Sequence, residues 1–94
     1  MARYRKKPVV IEAFRWTGGP DQVEDPEWIV EAIVRGDVHF VAGPIGVPGS
    51  QLIIRTLEGD MRAEPGDFII RGVKGELYPI KDEIFRETYE AVDV

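Results

Sequence analysis

Apolar and polar positions fall in short blocks along this chain, and their spacing switches from a two-residue to a three-to-four-residue period and back. Residues 8–16, Pro8-Val-Val-Ile-Glu-Ala-Phe-Arg-Trp16, are dominated by β-branched and aromatic side chains and read as a first strand. Val10, Phe14 and Trp16 fall on one face, with Glu12 among them, and Val9, Ile11 and Ala13 on the other. Two apolar faces predict a central strand covered on both sides. Thr17-Gly-Gly-Pro20 ends it, and an acidic loop follows. Asp25-Pro26-Glu27 carries the signals of a helix start, with Asp as cap, Pro in the first turn and Glu at the positive dipole end. The spacing predicts a helix over 26–35, with Ile29, Ala32 and Ile33 as its apolar stripe and Trp28 or Val30 at the margin. Glu27, Glu31 and Arg35 recur on its polar side, and Gly36 is placed to stop it.

The second half changes period. A short strand is predicted over 38–41. Gly43-Pro-Ile-Gly-Val-Pro-Gly-Ser50 has five Gly or Pro among eight residues and reads as a loop. A meander follows: a strand over 51–57, a tight turn at Glu58-Gly59, a return over 60–63, and strands over 68–71 and 76–79. The turns between them are Pro65-Gly66-Asp67 and Val73-Lys74-Gly75. Turn residues every eight to ten positions are what antiparallel hairpins require. Residues 81–87 read as a short helix with Ile84, Phe85 and Thr88 or Tyr89 facing inward, and 89–92 alternatively as a last strand. The expectation is a single α+β domain: a main helix and a short C-terminal helix on one mostly antiparallel sheet of about five strands. Closure of that sheet into a small barrel is left open by the pattern.

Composition narrows the chemistry. Ninety-four residues, 44% hydrophobic and 31% charged, suit one folded domain rather than a disordered chain. Cysteine is absent, which excludes disulfides, thiolate nucleophiles and cysteine-ligated metals. No apolar run approaches the roughly 20 residues of a membrane span. The basic start, Arg3 to Lys7, resembles a signal-peptide n-region, but Glu12 and Arg15 interrupt the apolar segment behind it. The net charge of −5 argues against non-specific nucleic-acid binding, which depends on many Lys and Arg contacts to phosphate. That charge is uneven, because Arg3, Arg5, Lys6 and Lys7 precede an acid-rich stretch over 21–31.

Three segments carry a resemblance: Tyr4-Arg-Lys-Lys-Pro-Val-Val-Ile-Glu-Ala-Phe-Arg-Trp16, Thr56-Leu-Glu-Gly59, and Pro65-Gly-Asp-Phe-Ile-Ile-Arg-Gly-Val-Lys-Gly-Glu-Leu-Tyr-Pro79 followed by Ile84-Phe85 and Thr88-Tyr89-Glu90. Together they resemble an uncharacterised family of small bacteriophage and prophage proteins. The chain departs from that family at Ile80, where relatives often carry cysteine, and residues 20–50 lie outside the resemblance. The resemblance implies work in the cytoplasm of a bacterial host cell. It also implies binding of a host protein, in the service of modulating host physiology or defence.

Reactive side chains are few. The single serine, Ser50, sits in a Gly/Pro loop without a nucleophile-elbow pattern, and the single histidine, His39, lies mid-strand beside Phe40. Asp37-x-His39 offers two metal ligands and no third at suitable spacing. Glu58, Asp60, Glu64 and Asp67 all flank turns, where acids commonly serve solvation and backbone hydrogen bonding. Gly43–Gly49 lacks the Lys-Ser/Thr ending of a phosphate loop, and Gly72-x-x-Gly75 sits between strands rather than helices. No catalytic residue, metal site or cofactor is assigned, and an enzyme of unknown type is the weakest of the alternatives.

Two constellations remain. Arg55, Arg71, Lys74, Tyr78 and Lys81 lie in or beside the meander; if the strands of Arg55 and Arg71 pair in register, the group can hold an anionic, nucleotide-like ligand. Its bland counterpart is a solvated face on which these cations pair with Glu58, Glu76 and Glu83. Trp28, Ile45 and Val47 are interface candidates for a protein partner, against simple core anchoring by the tryptophan. The edges of a small sheet also make self-association an expectation. The function expected is a non-enzymatic binding protein, with sequestration of an anionic small molecule as the alternative.

Overall fold

A computed structural model describes residues 1–19, 22–42 and 49–92. Eight elements follow in chain order: β1 (Glu12–Arg15), α1 (Glu27–Arg35), β2 (Val38–Ala42), β3 (Ser50–Thr56), β4 (Gly59–Ala63), β5 (Phe68–Arg71), β6 (Leu77–Ile80) and α2 (Asp82–Thr88). The α+β class matches the reading from sequence, but the meander is interrupted: β3–β4 and β5–β6 form hairpins, whereas β4 and β5 belong to different sheets and do not pair. The single sheet of about five strands does not form. Six strands make two antiparallel sheets of three, ordered β1-β5-β6 and β2-β3-β4, and these do not close into a barrel. β2, β3 and β4 pair in chain order, with the turn at 57–58 joining the last two, whereas β1 crosses over to pair with β5, with Phe14 opposite Ile69.

The covered central strand is β5, not the first strand. Ile69 and Ile70 point to opposite faces and both are fully buried. Ile69 shares its face with Phe14 and joins the main core of Ile29, Ala32, Val38, Leu52, Ile54 and Ala63. Phe68 and Ile70 share the other face, and there α2 packs: the Phe85 ring stacks on Phe68 at 4.0 Å between centroids, and Tyr89 stacks on Phe85 at 5.2 Å. Ile84, expected inside, is instead about half exposed. The first strand is also shorter than its composition suggests. Beyond Glu12, opposite Arg71, the partner strand turns away at 72–75, so residues 8–11 have no strand to pair with.

Helix α1 buries Ile29 and Ala32 and leaves Val30 and Val34 outward, as the stripe predicts. Gly36 ends it in the left-handed region at φ 86°, with the Asp37 N–H returning to the Ala32 carbonyl at 3.0 Å. Asp25 does not cap it. Pro26 takes the cap position with no side-chain cap bond, because its extended backbone brings its own carbonyl to the Ile29 N–H at 3.0 Å.

The two sheets meet at a corner. The Trp16 N–H bonds the Asp67 carbonyl at 2.8 Å, extending the β1–β5 ladder. Two residues on, the Gly18 carbonyl accepts the Ser50 N–H at 2.9 Å, at the start of β3, and the Trp16 indole Nε1 donates to the Ser50 carbonyl at 2.8 Å. Gly18 has φ 76°, and a Cβ there would lie 2.6 Å from the Ser50 oxygen, so only glycine permits this approach. Nearby, the Asp67 carboxylate, 5% exposed, accepts the Glu64 N–H at 2.9 Å and the Lys81 Nζ at 3.2 Å. Asp67→Ala strands both donors, so we expect it to cost about 1–3 kcal/mol in chemical denaturation. Lys81→Met, which removes the half-exposed end of the pair, is expected to cost at most about 1 kcal/mol.

Candidate functional site

The meander cations are dispersed by the split into two sheets. Arg55 lies on β3, which pairs with β2 and β4, whereas Arg71 lies on β5, which pairs with β1 and β6. The shared face that an anion clamp needs is therefore not formed. Arg71 stands opposite Glu12 across the β1–β5 ladder, with Nη1 3.6 Å from its Oε1. Lys81 binds Glu64 and Asp67, each at 3.2 Å. Lys74 is exposed in the turn before β6, where its N–H donates to Glu76 Oε2 at 3.0 Å. Of these side chains, Arg71 and Lys81 pair with carboxylates, and their partners are Glu12, Glu64 and Asp67 rather than Glu58, Glu76 and Glu83.

Arg55 and Tyr78 do come together. They line a groove of about 620 Å³ with Asp37, Thr56, Leu57, Glu58, Met61, Glu76 and Leu77, where the β3–β4 hairpin faces β6. Three carboxylates and one guanidinium leave this groove electronegative, the wrong sign for a nucleotide. Its apolar members include Leu57, fully exposed beside the hairpin tip, and Met61. Sequence reading passed over them. The available signal was an apolar residue at Leu57-Glu58-Gly59, where turns favour polar side chains.

Trp28, an interface candidate from sequence, packs against the core. It is half-buried and meets Phe14 edge to face at 5.4 Å, anchoring α1 to the core. Ile45 and Val47, the other two interface candidates, lie outside the described residues. His39 is exposed on β2 and stands opposite Ile53, while the Asp37 carboxylate accepts the Arg35 Nε–H at 3.0 Å. No helix among the described residues is long and apolar enough to cross a membrane.

Two groups have shifted protonation. Burial pushes the Tyr78 phenol up to about 12, with further contributions from the Tyr89 hydroxyl and the charge of Glu76. Desolvation pulls the Lys81 ammonium down, but its hydrogen bonds to Glu64 and Asp67 and their charges outweigh this and hold it above the ordinary lysine value. Comparison with protein-family models, curated proteins and solved structures yields no match to the chain.

A raised phenol pKa favours the neutral form in the folded state. The stabilisation it carries is complete below pH 10 and is lost as the pH climbs towards about 12. Titration by phenolate ultraviolet absorbance is expected to show one late-ionising tyrosine that disappears in Tyr78→Phe, and that variant should lose less stability across this alkaline window.

Proposed function

We propose that this chain is a non-enzymatic binding protein that engages a host protein, working inside a bacterial cell as the phage proteins it resembles are expected to do. The observation that carries this reading is the groove between the β3–β4 hairpin and β6. Leu57 and Met61 offer it apolar surface in water, and Asp37, Glu58 and Glu76 surround that surface with negative charge. Such a surface favours a protein segment that presents an apolar side chain next to lysine or arginine. The anionic small molecule is disfavoured, because Arg71 and Lys81 are committed to carboxylates and Arg55 is outnumbered by them.

Leu57 is fully exposed and Glu58 is exposed at the turn, so Leu57→Asp and Glu58→Lys change the groove without touching the core. In capture experiments from bacterial lysate, we expect a host protein that is enriched by the unmodified chain. Each variant should weaken its binding at least about tenfold, or about 1.4 kcal/mol. Equal capture by the unmodified chain and both variants would rule out the groove as the binding surface.

A further inference from the structure

We propose that the chain associates with a second copy of itself through the free edge of β1, where residues 8–12 of two copies pair antiparallel about a two-fold axis. Four observations converge on this edge, none of which involves the hairpin groove, so the inference is independent of the function proposed above.

The first is unused strand character. Pro8-Val9-Val10-Ile11 runs directly into β1 but forms no secondary structure, because β5 turns away after Arg71. Val9 and Val10 are 46% and 69% exposed. A β-branched run at the end of an edge strand, lacking an intramolecular partner, is a template for strand addition. The second is room. A groove of about 600 Å³ lies along this edge, lined by Val9–Ala13 on one side and by Phe85 and Tyr89–Val92 on the other. That lining is mostly apolar.

The third is area. A compact folded monomer of this mass is expected to expose roughly 5,500 Å², yet this chain of 10.6 kDa exposes 7392 Å². Residues 1–10 are all exposed and contribute to that surplus, so the segment leading into β1 is area open to a partner. The fourth is charge. Four of the twelve cations lie within residues 3–7 and none of the seventeen acids does, so residues 8–94 carry −9 against +4 for the segment before them. The opposite signs of residues 3–7 and of the rest of the chain lower the repulsion between two anionic copies.

Pro8 and the lysines before it limit the association. Proline donates no ladder hydrogen bond, and Lys6-Lys7 repel further strands, so pairing stops after a few residues and closes as a dimer instead of growing into a fibre. The product is a two-stranded antiparallel ribbon of residues 8–12 that joins the β1-β5-β6 sheets of the two copies at Glu12.

Sedimentation equilibrium of the full chain decides the matter, paired with hydrogen exchange. The expected mass is twice the 10.6 kDa of the monomer, with the amides of Val9, Val10 and Ile11 more protected as concentration rises. Val10→Pro and Val9→Lys alter exposed positions that make no hydrogen bond among the described residues of the single chain, so each should leave the circular dichroism unchanged and raise the dimer dissociation constant at least about tenfold. A chain that stays monomeric at high micromolar concentration overturns the inference. So does a dimer that both variants leave intact, or one in which those three amides exchange freely.

Discussion

The two three-stranded sheets are fastened to each other within a few residues of the end of β1. Trp16 bonds to Asp67 in one direction through its backbone and to Ser50 in the other through its indole, and Gly18 then reaches the Ser50 N–H directly. That crossing places the Phe14 and Ile69 face of the first sheet against the Leu52, Ile54 and Ala63 face of the second, with α1 closing the side. The rest of the packing follows from it. Asp67, which accepts at the same corner, ties the turn before β5 to the residue that opens α2, and α2 then covers the second face of β5 through Phe85.

The same division into two sheets governs what the surface can do. Arg55 and Arg71 stand on different sheets, and Arg71 and Lys81 lie beside carboxylates of their own surroundings. The split also leaves a valley where the β3–β4 hairpin and β6 face each other, and it leaves β1 at an edge with β-prone sequence running past the end of its partner. The two surfaces proposed for binding are thus by-products of how few strands each sheet contains. Both are apolar strips bordered by charge, one negative and one with a basic segment beside it.

The comparison between pattern and structure is instructive element by element. The helix over Glu27–Arg35 and its stop at Gly36 were readable because a 3.6-residue period and a left-handed glycine are set by neighbours within one turn. The hairpin turns at 58–59 and 73–75 are readable for the same reason, as is the turn at 65–67, although it passes the chain from one sheet to the other instead of closing a hairpin. The first strand was overextended, because β-branched residues state a preference for extended backbone but do not supply the partner that makes a strand. Of the site, Arg55 and Tyr78 were found and Leu57 and Met61 were missed, since a groove is formed by residues that become neighbours only after β6 lies against the hairpin.

By itself, then, the amino-acid order determined the local conformations: where the backbone coils, where it extends, where it reverses, and that the chain lacks thiol chemistry. Tertiary structure alone decided which strands are neighbours, because Phe14 and Ile69 are 55 positions apart and their pairing is chosen by burial and hydrogen bonding across the whole domain. That choice separated Arg71 from Arg55, moved Trp28 into the core and left residues 8–11 without a partner. Charge and hydrophobicity are properties of single residues; a surface is a property of which residues the packing leaves side by side.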